Sequence, residues 1–193
     1  TRCFRDEDLR TDRQPEFTQI DIETSFMTRE DFRALMEEMY VQLFKDVLNV
    51  ELSRPFPRLT YQEAMERYGT DKPDLRFGME LVDLSDSLVN SSFKVFASVL
   101  QSGGQVKAIN VKQCAHWSRK EIDQWGEVAI SLGAKGLAWL VWKEEGVKGP
   151  IAKFLTEEEI TAIQTKANAE TGDLLFFVAD QPRVVSTVLG ELR

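Results

Sequence analysis

Residues 16–26 read EFTQIDIETSF. Their polarity alternates, as it does along a strand with two unlike faces. One face would carry Thr18, Ile20, Ile22, Thr24 and Phe26 and is fit for a core. The other would carry Phe17, Gln19, Asp21, Glu23 and Ser25: a ring, an amide and two carboxylates. Upstream, residues 1–7 also alternate, with Cys3, Arg5 and Glu7 on one face. If the two segments pair antiparallel, Arg5, Glu7, Phe17, Gln19 and Asp21 line one surface. That surface offers a cation for a phosphate, a flat ring for a base, and acceptors for amino groups. Arginine holds anionic oxygens in a planar fork that lysine cannot reproduce. On spacing alone, an exposed hairpin laced by ion pairs is the commoner outcome, since charged hairpins are usually solvated.

The elements that would position these residues come next. Asp8 to Gln14 (DLRTDRQ) is a polar loop, and Pro15 stands at the entry of the second strand, where a strand tolerates it. Thr28-Arg29-Glu30-Asp31 resembles a capping box with Asp in the usual Glu position. Phe32, Leu35, Met36, Met39, Tyr40, Leu43, Phe44, Val47 and Leu48 then recur at helical spacing. This stripe reads as packing. Thr60-Tyr61-Gln62-Glu63 caps a short helix that stops at Gly69. Residues 69–78 (GTDKPDLRFG) are turn-rich, and a domain boundary is expected near Gly78. Beyond it, 93–97 and 106–111 read as strands. Ser118 caps a helix with Ile122, Trp125, Val128 and Leu132 inward, closed by Gly133. Residues 137–142 and 174–179 read as buried strands. Thr156 caps another helix, and a last one runs from Pro182. The fold class is α+β, divided into 1–77 and 78–193.

The composition, 42% hydrophobic and 29% charged over 193 residues, is that of a soluble globular chain. No apolar run approaches the ~20 residues of a membrane helix, and no signal peptide is visible. A net charge of −8 argues against blanket nucleic-acid binding but not against a local nucleic-acid contact. The first residue is Thr1 rather than Met, which reads as a fragment. Cys3 and Cys114 make no disulfide framework, and a reduced, cytoplasmic compartment is expected. Cys114 and His116 fall short of the about four ligands of a metal site, so no metal is expected in this chain. Lys72, Asp74 and Arg76 read as a loop stapled by ion pairs; of Trp117, Trp125, Trp139 and Trp142, which could stack bases, Trp125 and one of Trp139 and Trp142 read as core by pattern.

The wording of the hairpin is more telling than its spacing. Residues 4–21 (FRDEDLRTDRQPEFTQID) resemble motif 2 of the class II aminoacyl-tRNA synthetases, closest to the bacterial aspartyl type. The elements FRDE, Arg13 and Glu16-Phe17 resemble the class-wide core, whereas Asp12 to Gln19 (DRQPEFTQ) is particular to that type. Residues 68–76 (YGTDKPDLR) resemble the segment preceding the large insertion of those enzymes. GAKGLA at 133–138 and GDLLFF at 172–177 resemble the insertion itself, the GAD domain, which also occurs in the B subunit of tRNA-dependent amidotransferases.

The resemblance implies an aspartate–tRNA ligase that activates aspartate with ATP and transfers it to tRNA. Arg5 would bind the α-phosphate and the aspartate carboxylate. Glu7 would accept from the adenine amino group, with Asp6 beside it, and Phe17 would stack on the base. Gln14 and Gln19 would bind ATP or the adenylate, and Asp21 would face the aspartate ammonium. Asp8, Leu9, Arg10 and Arg13 would touch the tRNA acceptor end. Magnesium is expected on the phosphates. The full-length protein is expected to be a homodimer acting on tRNA(Asp), with tRNA(Asn) left open. Motifs 1 and 3 and an anticodon-binding barrel are missing, so this chain alone is expected to be inactive. The alternative is a non-catalytic α+β interaction module related to the amidotransferase insertion. Arg5, Glu7, Gln14 and Phe17 speak against it, since a pure binding module has no reason to keep them.

Overall fold

Thr28, Thr60, Ser118 and Thr156 each accept a hydrogen bond from the backbone N–H three residues on, and the acid there bonds back to the cap N–H. Such caps contribute about 1 kcal/mol each. They start α1 (Arg29–Leu48), α2 (Tyr61–Tyr68), α5 (Arg119–Ser131) and α6 (Glu157–Ala167). The remaining elements are β1 (Arg2–Phe4), β2 (Glu16–Thr18), β3 (Val82–Asp83), α3 (Ser85–Leu88), α4 (Lys94–Gln101), β4 (Gln105–Val111), β5 (Ala138–Lys143), β6 (Gly146–Lys148), β7 (Leu174–Asp180) and α7 (Pro182–Leu192). The computed structural model describes residues 1–8, 11 and 13–193.

Two compact units result, Thr1–Arg58 and Leu59–Arg193. In the first, β1 and β2 form an antiparallel pair. Helix α1 has no buried residue; Leu43 and Val47 are 49% and 69% exposed. The expected packing stripe is therefore only partly covered: Phe32, Met36, Met39 and Phe44 are half-buried, whereas Leu35, Leu43, Val47 and Leu48 are exposed. The expected core face of the second strand is exposed. Regular pairing ends near Thr18, and Ile20 and Phe26 stand in solvent. A strand persists only beside a neighbour, and among the described residues β2 has β1 alone.

The second unit is a five-stranded antiparallel sheet in the order β3-β4-β7-β5-β6. Successive residues of β7 point to opposite faces. Leu175 and Phe177 join Leu84, Leu88, Phe96 and Ile163 on one side, under α3, α4 and α6. Leu174, Phe176 and Val178 join Ile122, Ala129, Val185 and Leu189 on the other, under α5 and α7. The architecture is α+β.

Three sequence expectations are corrected here. Residues 93–97 are not a strand but lead into α4. The β-branched and aromatic residues favour a strand, but Phe93, Phe96 and Leu100 recur at helical spacing and all pack on the sheet. On α5, Trp125 and Val128 are 37% and 41% exposed rather than inward. The buried residues of α5 are Ile122 and Ala129, and Trp125 instead stacks on Trp117 at 6.2 Å. Gly126 in mid-helix costs roughly 0.5–1 kcal/mol relative to alanine.

The third concerns the boundary. Residues 59–78 pack with the second unit rather than the first. Gly69, at φ 72°, lies so close to α7 that a Cβ would stand 2.2 Å from the Ser186 carbonyl oxygen. Arg67 grips Glu80 through two hydrogen bonds of 2.8 and 2.6 Å. The Arg193 guanidinium donates to the carbonyls of Asp74, Phe77, Gly78 and Met79.

Asp173, fully buried, ties the strand ends together. It accepts from Asn110 Nδ2 (3.1 Å), Lys112 Nζ (2.9 Å) and the backbone N–H of Gln113 (3.0 Å) and Glu170 (2.9 Å). Burial works against its charge, but Lys112 and the three N–H donors outweigh burial and hold the carboxyl below its ordinary 3.8. A carboxyl lowered in the folded state adds stability that is complete above its unfolded value and lost as pH falls through the folded one.

Two outcomes follow. Amide exchange of the 193-residue chain should protect β4 and β7 strongly and residues 1–50 weakly; equal strong protection in both would contradict the division. Asp173→Asn should cost about 1–3 kcal/mol at pH 7 by chemical denaturation. The variant should also lose less stability than the parent between pH 5 and 3; identical pH profiles would remove Asp173 from the account.

Candidate functional site

In the β1–β2 pair, Arg2 stands opposite Thr18, Cys3 opposite Phe17, and Phe4 opposite Glu16. The Arg5 N–H donates to the Pro15 carbonyl, and the Gln19 N–H to that of Thr1, each at 2.8 Å. This register puts Cys3, Arg5, Phe17 and Gln19 on one face. Arg2, Phe4 and Glu16 take the other, where Arg2 pairs with Glu16.

The first face is a connected cluster. The Arg5 guanidinium lies 5.4 Å from the Phe17 ring centroid. Glu7 bridges two cations, 3.8 Å from Arg5 and 2.8 Å from Arg13. The Cys3 thiol donates to Gln19 Oε1 at 3.2 Å. Cys3, Phe17 and Gln19 are half-buried, while Arg5 keeps 58% of its side chain exposed. Exposed ion pairs are worth about 0–1 kcal/mol, so an incoming anion or amino group can replace them at small cost. The cluster can therefore hold a phosphate on Arg5, a base on Phe17 and an amino group on Glu7.

Not every residue named from the sequence joins it. Asp6, Asp8, Gln14 and Asp21 are exposed. Among the described residues, no hydrogen bond or ion pair links Asp6, Gln14 or Asp21 to the cluster. Asp21 lies past the end of β2. Leu9 and Arg10 lie outside the described residues. Cys3 was legible as a member of the face by alternation, but its bond to Gln19 needed the register.

Elsewhere, Asp74 holds Arg76 through Nε at 2.9 and 3.0 Å. That bond, with the Arg76 N–H, pulls the Asp74 carboxyl down to about 2. The 69–78 turn is thus stapled on itself. His116 Nδ1 lies 3.0 Å from the Gln113 carbonyl, and burial pushes the nearby Cys114 thiol up.

The family model of class II tRNA synthetases (D, K and N) matches residues 1–190, and the chain belongs to that family. Within it, the chain is 59% identical over 192 residues to the aspartate–tRNA(Asp/Asn) ligase of Heliobacterium modesticaldum. It is 60% identical over 193 residues to the enzyme of the same name from a Geobacillus species. It is 54% identical over 193 residues to the aspartate–tRNA ligase of Listeria monocytogenes. Each alignment takes in 100% of this chain and 32–33% of the relative. The chain thus spans about a third of the length of the curated relatives it matches.

Proposed function

We propose that this chain forms the nucleotide-holding part of an aspartate–tRNA ligase, which activates aspartate with ATP and transfers it to tRNA. The observation that carries the reading is the hairpin face: Arg5 over Phe17 at 5.4 Å, with Glu7 between Arg5 and Arg13. Adenine and Arg5 compete for one ring face. Nucleotide arrival would move the guanidinium off Phe17 and onto the α-phosphate and the aspartate carboxylate. Glu7 would accept from the adenine amino group, with Asp6 beside it. Gln14 and Gln19 would hold ATP or the adenylate, and Asp21 the aspartate ammonium. Asp8, Leu9, Arg10 and Arg13 would meet the tRNA acceptor end.

The aspartate carboxylate oxygen attacks the α-phosphorus in line, the bond to the bridging oxygen breaks, and pyrophosphate leaves. A terminal ribose hydroxyl of tRNA then attacks the acyl carbon, and AMP leaves. No side chain acts as nucleophile. Rate comes from alignment and from a cation placed where charge grows. Magnesium, when bound, would neutralise phosphate charge.

Relatives named for tRNA(Asp/Asn) support tRNA(Asp) as acceptor and tRNA(Asn) as a second one. Alone, the chain is read as inactive, because the remaining catalytic segments are needed. The self-contained core of the Leu59–Arg193 unit is consistent with reading residues 78–193 as a GAD-type insertion. The whole protein is read as a cytoplasmic homodimer, on the family resemblance.

At the length of its relatives, Arg5→Ala should slow ATP–pyrophosphate exchange about 100- to 1,000-fold, some 3–4 kcal/mol, with an unchanged melting temperature. Arg5→Lys should rescue only in part. Exchange within about threefold of the parent, under ~1 kcal/mol, would make Arg5 a mere ion-pair residue. Arg13→Ala should harm tRNA charging more than exchange; equal loss would mean that Arg13 serves the nucleotide through Glu7.

A further inference from the structure

Gln19 closes the Arg5–Phe17 face with an amide, whose two ends are alike in shape and opposite in chemistry. Its oxygen only accepts and its nitrogen only donates. Which end meets a ligand therefore decides what the ligand must offer. The main chain here is held, since the Gln19 N–H donates to the Thr1 carbonyl at 2.8 Å. The side chain is held at one atom. Among the described residues its hydrogen-bond partner is the Cys3 thiol alone, 3.2 Å from Oε1.

A thiol carries one proton. The Thr1 carbonyl competes for it from 3.6 Å, so the nearer Gln19 oxygen takes it. Cys3 stands opposite Phe17 and diagonally across the pair from Gln19, a separation that side chains on one sheet face can span. It is half-buried there, as Gln19 is. With Oε1 engaged, the two Nε2 protons have no protein partner among the described residues. We infer that Cys3 is a positioning residue: its thiol fixes the Gln19 amide so that the nitrogen donates to an oxygen of the bound nucleotide or adenylate. The inference rests on the ligase reading and adds a selectivity to it. This end of the face takes a phosphate or acyl oxygen and not an ammonium group.

The test is ATP–pyrophosphate exchange in the protein at the length of its relatives. Cys3→Ser keeps a proton donor, whereas Cys3→Val keeps an apolar side chain of similar bulk without one. Cys3→Val should lower kcat/KM for ATP about two- to fivefold, the lower range for one hydrogen bond from a weak donor. Cys3→Ser should stay within about twofold of the parent. A cysteine kept for packing alone would give the reverse order. Gln19→Ala should lose at least about tenfold. Adding Cys3→Val to it should change nothing more, since a residue that acts through another is silent once the other is gone. The variants should melt with the parent. Parental exchange by Cys3→Val, a Cys3→Ser worse than Cys3→Val, additive losses in the double variant, or losses that follow a fall in melting temperature would overturn the inference and leave the ligase reading standing. Parental exchange by Gln19→Ala would overturn the inference together with the place of Gln19 in the nucleotide site.

Discussion

Cys3 stands opposite Phe17 across the antiparallel pair, and side chains alternate along each strand. Arg5 and Gln19, two residues further along their strands, therefore share the face of that pair. The guanidinium reaches the ring, and the thiol reaches the amide. A slip of one residue would send Phe17 to the side of Arg2 and Glu16 and dissolve the cluster. The register is held by few bonds: the strand pairing itself and the flanking N–H donations of Arg5 and Gln19. Among the described residues, nothing in this hairpin is buried deeply enough to fold for its own sake. Its polar face is exposed, and its contacts are weak enough to be exchanged for ligand.

The Leu59–Arg193 unit is built on the opposite principle. Its central strands β4 and β7 pair over seven residues, Gln105–Asp180 to Val111–Leu174, and both faces are covered by helices. Where the ladder ends, Asp173 gathers donors from Asn110, Lys112, Gln113 and Glu170. Buried charge is tolerated only with such partners. The unit can therefore hold a shape without the hairpin.

How much was legible in the sequence depended on how local each cause is. The capping boxes at Thr28, Thr60, Ser118 and Thr156 lie within four residues of chain, and each formed as read. The runs at 137–142 and 174–179 are apolar enough to demand burial on both faces, and they became β5 and β7. Phe93 to Ala97 misled because ring and β-branched content competes with a helical spacing only two turns long. The boundary misled because the contacts of Gly69 with Ser186, and of Arg193 with the 74–79 turn, join residues over a hundred positions apart. On the hairpin, alternation put Arg5, Phe17 and Gln19 on one face, as the register does. It also extended that face to Asp21, which lies past the end of β2.

The claim most exposed to test is that adenine lies on Phe17. Photolabelling with 8-azido-ATP, in the protein at the length of its relatives, reads this directly through peptide mapping. The account predicts label on the peptide carrying Phe17, chased away by excess ATP but not by GTP. Label confined to the Leu59–Arg193 unit, or label on the hairpin that ATP does not displace, would contradict it.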